Sequence, residues 1–326
     1  MLMVTDISKT ASQGRPLVLA MGCFDGVHIG HQKVISTAVE QAKQCGGEAW
    51  VYTFEPHPAK VLVPEKAPPL ISAKPCRMRI MERLGVTGII ETPFTLEFAG
   101  LEPEAFLNDL VRKAPSLNGV VCGEDWSFGR RAAGNVQTLE PFGKTHGFST
   151  TAVAPLMDGS KKISSSTIRK DLLEGNIADA IHLLGRPFSL FGTVVPGKKI
   201  GRELGYPTAN IDPLNELIPG NGVYAAWTRI QKTDNRGPRT DPSVIRHPST
   251  VLHPSAVFIG NRETFGCHKH VIESYLIDFD GDLYGKDLEV ILIEKTRDVT
   301  PFPSREALIG QIEKDVVQIR DILATH

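Results

Sequence analysis

The sequence predicts an α/β protein in two parts: a doubly wound parallel sheet, then an all-β antiparallel barrel with a C-terminal helix. Three observations predict it. Before residue 185, short apolar runs alternate with helix-like stretches. Beyond Gly185-Arg186-Pro187 the runs become short and alternating, with Gly and Pro between them. The final segment carries Leu308, Ile312, Val316, Ile319 and Leu323 at helical spacing. At roughly 150 residues per domain, the 326 residues fit two domains, divided as 1–185 and 186–326.

In the first part, Leu17–Met21 reads as a buried strand. The helix after it places Val34, Ile35, Ala38, Val39 and Ala42 on one face and stops at Gly46-Gly47. Residues 49–53 form the next strand, 75–84 a helix ended by Gly85, and Ile89-Ile90 a short strand. A helix opened by Pro103 leads to a strand at 119–122, and helices at 165–174 and 177–184 close this half. Such βαβ alternation implies a parallel sheet covered on both faces; antiparallel hairpins would need turn signals every 8–12 residues or so, which this half lacks. In the second part, strands are expected at 191–195, 223–230, 257–260, 270–279 and 288–293. Ser304 is the N-cap of the last helix. Residues 231–253 are polar, contain Pro and Arg, and read as a long loop.

Lys and Arg number 36 against 37 for Asp and Glu, so the formal charge is −1. That balance argues against a general nucleic-acid or membrane-surface binder and for small-molecule partners, leaving a homo-oligomer open. No apolar run approaches the ~20 residues of a spanning helix. Residues 1–14 are polar and lack the apolar stretch of a secretion signal. The five cysteines are scattered, with no C-x-x-C pair, which suits a reducing cytoplasm.

The first strand runs into Gly22-Cys23-Phe24-Asp25-Gly26-Val27-His28-Ile29-Gly30-His31-Gln32 and then a helix. A strand-to-helix turn offers glycine backbone and a helix N-terminus to a phosphate chain. An imidazolium pair at His28 and His31 would offset charge growing on an α-phosphate as pyrophosphate leaves, and Gly30 would allow close approach. The competing reading is that the histidines cap the helix. Phe54, Pro56, His57 and Pro58 follow the second strand, where Phe54 and Pro58 could shape a slot for a flat ring and His57 could offer a hydrogen bond. Asp125 and Phe128 lie on a later strand-end loop, Asp125 able to hold a ribose hydroxyl or the phosphate region. Ser164, Ser166 and Arg169 open a helix with hydroxyls, free N–H groups and a guanidinium fork suited to triphosphate oxygens, unless the serines merely cap it. Arg130 and Arg131 read as a solvated loop face.

In the second part, Gly197, Gly201 and Gly205 sit among Lys198, Lys199 and Arg202, ahead of Tyr206-Pro207-Thr208-Ala209-Asn210. Such a loop suits close backbone approach to phosphates, though it is not a Walker A loop. The Thr208 hydroxyl and Asn210 amide oxygen would suit Mg²⁺. A plain Gly-rich hairpin is the competing reading.

The string from Gly22 to Gln32 resembles the His/Thr-x-Gly-His signature of nucleotidylyltransferases, in the form seen in the FAD synthetase module of bacterial bifunctional riboflavin kinase/FAD synthetases. Thr53–Pro58, Gly123–Gly129 and Ile163–Arg169 resemble the same family. Residues 197–210 are similar to the riboflavin kinase signature G-x-x-x-G-R-x-L-G-Y/F-P-T-A-N. The resemblance implies two reactions: ATP-dependent phosphorylation of riboflavin to FMN by the barrel, and adenylylation of FMN to FAD by the first domain. It implies that Glu273 is the base for the ribityl hydroxyl, with Thr208 and Asn210 on Mg²⁺. Gly22, Phe24, Asp25 and Gly30 join the ATP site of the first domain; Gly197, Gly201, Arg202, Gly205, Tyr206 and Pro207 form that of the barrel, and Arg297 flanks the flavin. Two departures stand out: Glu263 replaces a family proline, and the 231–253 loop exceeds a minimal one. The alternative is a nucleotidylyltransferase for another phosphorylated acceptor, with the barrel as a regulatory binding module.

Overall fold

The computed structural model describes residues 1–10, 14–197, 200–231, 251–264 and 267–326, with backbone alone for 200, 262–264 and 267–269. Lys198, Lys199 and residues 232–250 therefore lie outside the described residues, as does the side chain of Glu263. The chain divides into two compact units, 1–69 with 77–164, and 70–76 with 165–326.

The first unit is built on β1 (Leu2–Val4), β2 (Leu17–Met21), α1 (Ile29–Gln44), β3 (Glu48–Glu55) and α2 (Pro58–Leu62). These are followed by α3 (Lys74–Arg83), β4 (Gly88–Pro93), α4 (Leu96–Ala99), α5 (Pro103–Lys113), β5 (Leu117–Gly123), α6 (Val136–His146) and β6 (Ser149–Val153). The six strands form one parallel sheet in the order β1-β4-β3-β2-β5-β6. Because side chains alternate across a strand, Leu17, Leu19 and Met21 share one face, where they pack with Phe106, Leu107 and Leu110 of α5 and Leu139 of α6. The buried face of α1, carrying Val34, Ile35, Ala38, Val39 and Ala42 as the periodicity predicted, packs on β2, β3 and β5. Gly88 is required by this packing: a Cβ there would stand 2.3 Å from the Trp50 ring on the neighbouring strand. Strands β1 and β6 and helix α6 were not anticipated; β1 is only three residues long and half-exposed, so it carries almost no pattern.

A small hairpin, β7 (Met157–Asp158) and β8 (Lys161–Lys162), ends this unit. Helices α7 (Ser165–Glu174) and α8 (Ile177–Leu184) follow, where the sequence expects them. Helix α8 packs on the first and last strands of the barrel, so by contact these helices belong with the second unit, whereas the sequence grouped them with the first.

The barrel comprises β9 (Phe188–Val195), the short α9 (Ile200–Glu203), β10 (Ala209–Pro213), β11 (Gly222–Ile230), β12 (His253–Thr264), β13 (Cys267–Leu276) and β14 (Asp287–Arg297). It closes in the order β10-β13-β12-β11-β14-β9, every pairing antiparallel. Closure removes the exposed edges that an open sheet would leave. On β11, Tyr224, Ala226 and Thr228 alternate with Val223, Ala225 and Trp227, which meet the final helix α10 (Arg305–Ala324) through Ile319 and Leu323. Ser304 caps α10, accepting from the Ala307 N–H at 3.2 Å, as expected. Strand β13 stops at Leu276, short of the expected residue 279, because Asp278 turns left-handed (φ 59°) and pairs with Arg320 of α10. Strand β10 was missed: Pro207 beside it obscured a strand start.

Candidate active sites

The chain leaves β2 for β3 and β4 on one side, then returns to β5 on the other, so the order of the sheet reverses at β2. In open parallel sheets the crevice beyond such a reversal is where ligands bind. The Gly22–His31 turn leaves β2 at that place. It is stitched to β3: the Gly22 N–H donates to the Tyr52 carbonyl and the Thr53 hydroxyl to the Cys23 carbonyl, both at 3.2 Å. Phe24 (φ 51°), Gly26 (φ 78°) and Val27 (φ 41°) all take left-handed backbone. For Phe24 and Val27 that is strained, and their complete burial holds it. Gly22 leaves room for this bend, since a Cβ would stand 3.1 Å from the Phe24 ring.

His28 is the N-cap of α1, its Nδ1 accepting from the His31 N–H at 3.3 Å. The capping reading of His28 therefore holds, through Nδ1, with Nε2 on the other side of the ring. The His28 and His31 rings stack, centroids 3.7 Å apart and 21° from parallel, with Phe24 edge-on to His31 at 5.4 Å. Gly30 clears the His28 ring, since a Cβ there would meet its Cε1 and Nδ1 at 3.1 Å. Burial first, and then the neighbouring His28, hold His31 well below the ordinary histidine range. That lowering disfavours the imidazolium expected of His31 from the sequence, and its Nδ1 is buried with no hydrogen-bond partner among the described residues. Asp25, 2% exposed, lies between the two ends of the turn.

Beyond β3, Pro58 opens α2 and His57 caps it, Nδ1 accepting from the Ala59 N–H at 3.2 Å. That nitrogen is accordingly committed to the backbone. Phe54 begins a run of rings through Phe98 (5.7 Å) and Phe106 (5.9 Å) to Phe128 (5.5 Å), which stacks on Trp126 at 4.7 Å. The fold thus brings Phe54 and Phe128 to one aromatic wall. Phe94 and Phe98 belong to it as well and were missed, although their i, i+4 spacing around the Thr95 cap was a usable signal. Asp125 is exposed and paired with Lys162 of β8, whose hydrogen bond holds the carboxyl below its usual range. Arg130 and Arg131 are exposed, as expected, Arg130 pairing with Glu102 at 3.1 Å. Ser164 precedes α7, while Ser166 and Arg169 lie in its first turns. One residue that no motif marked is Arg77 of α3, nearly buried and 3.7 Å from Glu55.

In the second unit, Gly197 and Gly201 lie directly on the Thr-x-Asn segment. A Cβ at Gly197 would stand 2.1 Å from the Asn210 amide nitrogen, and one at Gly201 3.0 Å from the Thr208 hydroxyl. Gly205 turns left-handed (φ 87°), and the Tyr206 N–H returns to the Gly201 carbonyl at 2.8 Å. Arg202 and Pro207 are exposed, and Tyr206 meets Tyr275 edge-on at 5.4 Å. Asn210 faces Val195 on one side and Glu273 on the other in the ladder, and the Thr208 hydroxyl donates to Glu273 Oε2 at 3.4 Å. Glycine backbone, hydroxyl, amide and carboxylate converge. Arg297 is engaged elsewhere: its Nε and Nη2 bind Asp315 of α10 at 3.0 and 2.8 Å, and its Nη1 donates to the Asp298 carbonyl at 3.0 Å. The flavin role expected of it meets a guanidinium already used to fasten helix to barrel.

Residues 10–167 match the FAD synthetase family model and residues 184–323 the riboflavin kinase family model. Three curated relatives are each a bifunctional riboflavin kinase/FMN adenylyltransferase. That of Escherichia coli (strain K12) is 30% identical over 98% of this chain and 96% of its own. That of Listeria monocytogenes is 35% identical over 98% and 94%, and that of Bacillus subtilis 34% over 91% and 90%. A solved structure described as a macrolide-efflux protein from Streptococcus pneumoniae matches over 98% of both chains, with a TM-score of 0.83 and 27% identity. Among the described residues, no helix here is long and apolar enough to cross a membrane.

Proposed function

Since this chain belongs to the bifunctional riboflavin kinase/FMN adenylyltransferase family, we propose how its own residues divide the two reactions. The protein phosphorylates riboflavin with ATP to give FMN, and adenylylates FMN with ATP to give FAD and pyrophosphate. The first reaction belongs to the barrel and the second to the parallel-sheet unit, following the order of the family matches.

In the kinase, the observation that carries the assignment is the convergence of Thr208, Asn210 and Glu273 beneath Gly197 and Gly201. Glu273 takes the proton of the ribityl hydroxyl as its oxygen bonds to the γ-phosphorus and ADP leaves. The Thr208 hydroxyl and Asn210 amide oxygen are hard oxygen donors of the kind Mg²⁺ takes, and the bare backbone of Gly197 and Gly201 lies against them. Mg²⁺ would offset the triphosphate charge there. Gly205, Tyr206, Pro207 and Arg202 complete the loop around ATP.

In the adenylyltransferase, a phosphate oxygen of FMN bonds to the α-phosphorus of ATP and the bond to the departing pyrophosphate breaks; no covalent enzyme intermediate is needed. Positioning and electrostatics carry such a step. The Gly22–Gly30 turn and the N-terminus of α1 hold the nucleotide phosphates, with Phe24 and Asp25 shaping the turn. His28 and His31 donate to the charge that grows at the α-phosphate. Phe54, Pro56, His57, Pro58 and Phe128 wall the flavin, and Asp125 lies at its margin. Ser164, Ser166 and Arg169 are assigned to the triphosphate on the strength of their motif alone. The chemical domains are 1–185 and 186–326, the boundary falling just inside the start of the riboflavin kinase match. Near-zero net charge supports small-molecule partners without nucleic acid, and the scattered cysteines support a cytoplasmic enzyme.

Chromatography of the flavins after incubation with riboflavin, ATP and Mg²⁺ tests this division. FMN then FAD is the expected series. His28→Ala should stop it at FMN, whereas Glu273→Gln should leave riboflavin unconverted yet still turn added FMN into FAD. The opposite pattern would reverse the assignment.

A further inference from the structure

Helix α3 carries four basic residues, Lys74, Arg77, Arg79 and Arg83, and the fold buries one of them. Arg77 is 8% exposed, on a helix whose other residues include no acid before Glu82. A guanidinium taken out of water is costly unless its five N–H donors are satisfied. Its partner is Glu55, at the end of β3, at 3.7 Å, which is beyond hydrogen-bond length. Among the described residues Glu55 is the acid that pairs with this guanidinium, and none of its nitrogens is both buried and unpartnered, so the fork keeps some contact with solvent. It also sits close enough to Cys23 to pull that thiol downward, against the burial and the nearby Asp25 that together push it up to about 11. Arg77 therefore lies at the end of β3, the strand that begins the aromatic wall and pairs with β2, to whose following turn β3 is hydrogen-bonded.

We propose that Arg77 is a phosphate-binding residue of the adenylyltransferase, holding the phosphate of FMN between the flavin wall and the nucleotide turn. The inference rests on placing adenylyl transfer at the turn after β2. Three considerations favour the acceptor phosphate over those of ATP. Arg77 pairs with the strand that carries Phe54. The α1 N-terminus and the histidines are already assigned to the nucleotide. And a dianionic acceptor brought next to a polyphosphate needs a cation of its own to overcome their repulsion. A planar fork suits two oxygens of one phosphate. Glu55 holds the fork in place until the phosphate arrives.

The test is steady-state adenylyl transfer by the full-length protein with FMN and ATP varied separately, with riboflavin phosphorylation followed in the same preparation. Arg77→Lys keeps a cation for Glu55 but loses the fork; it should raise the KM for FMN roughly threefold to tenfold. Arg77→Met should raise it about 10- to 100-fold, the range for a lost charged hydrogen bond. The KM for ATP and the kinase rate should stay near wild type. Glu55→Gln should leave the KM for FMN unchanged or lower it. An unchanged KM for FMN in both Arg77 variants would overturn the proposal, and a rise confined to ATP would overturn the choice of acceptor. If Glu55→Gln matched Arg77→Met, the role would be structural. Should Arg77→Met melt early, Arg77→Lys decides. Absence of FAD from wild-type protein would be a different failure, that of the adenylyltransferase assignment itself.

Discussion

Gly197 lies so close to Asn210 that a Cβ at residue 197 would stand 2.1 Å from the side-chain amide nitrogen. Gly197 and Gly201 thus bring bare backbone against the proposed metal ligands. Gly197→Ala should displace Asn210 or the loop, cutting riboflavin phosphorylation at least tenfold while FMN adenylylation in the same chain continues. Assaying both reactions on one preparation checks it; an unaffected kinase would mean that the loop can shift without consequence.

Removing the carboxylate at 273 takes away the proton acceptor proposed for the ribityl hydroxyl. Glu273→Gln keeps size and hydrogen bonding to Thr208, so the expected loss in kinase kcat is that of general-base catalysis, about 10²- to 10⁴-fold. Retention of more than a tenth of wild-type kcat would assign the base elsewhere.

His28→Ala removes both the cap of α1 and the ring stacked on His31. Adenylyl transfer should fall by about 10²- to 10³-fold, as for the loss of one preorganised donor. His28→Asn restores the cap without the imidazole. If it also restored the rate, the cap alone would explain the residue.

His31 gives the first unit a pH dependence of known sign. Burial holds its folded pKa well below 6.5. Below about pH 6.5 the unfolded chain binds a proton that the folded one does not, so stability falls as pH drops from 6.5 toward the folded pKa. Above 6.5 the two states bind equally and the effect vanishes. Thermal melts of wild type and His31→Gln from pH 7.5 to 5 should diverge only below about 6.5, with the variant losing less. Parallel curves would show that His31 titrates normally.

Asp315 is 4% exposed and accepts from Arg297 and from Gln311 of its own helix. Arg297→Met would strand that carboxylate, and such buried charges cost about 3–5 kcal/mol when their partner is removed. Urea denaturation should show a loss of that order in the second unit. A loss below about 1 kcal/mol, combined with a raised KM for riboflavin, would return Arg297 to the flavin role that the resemblance implied.

The sequence by itself determined the two architectures, most of the helices and the two signatures, because these are local properties. Val34 to Ala42 repeat at helical spacing whatever surrounds them, and His28-x-Gly-His31 is a string. Leu17–Met21 is apolar throughout, as a strand covered on both faces must be. What the string could not express was the state of its members. That the pKa of His31 is held down follows from burial and from the ring stacked on it. That Arg297 is bound to Asp315 depends on where α10 lies against β14. Tertiary structure alone also closed β10 into the barrel, joined Phe54 to Phe128 through rings from two other segments, and chose Arg77 from four basic residues on one helix. Each of these depends on contacts between distant segments, and burial and electrostatics are set by which segments meet.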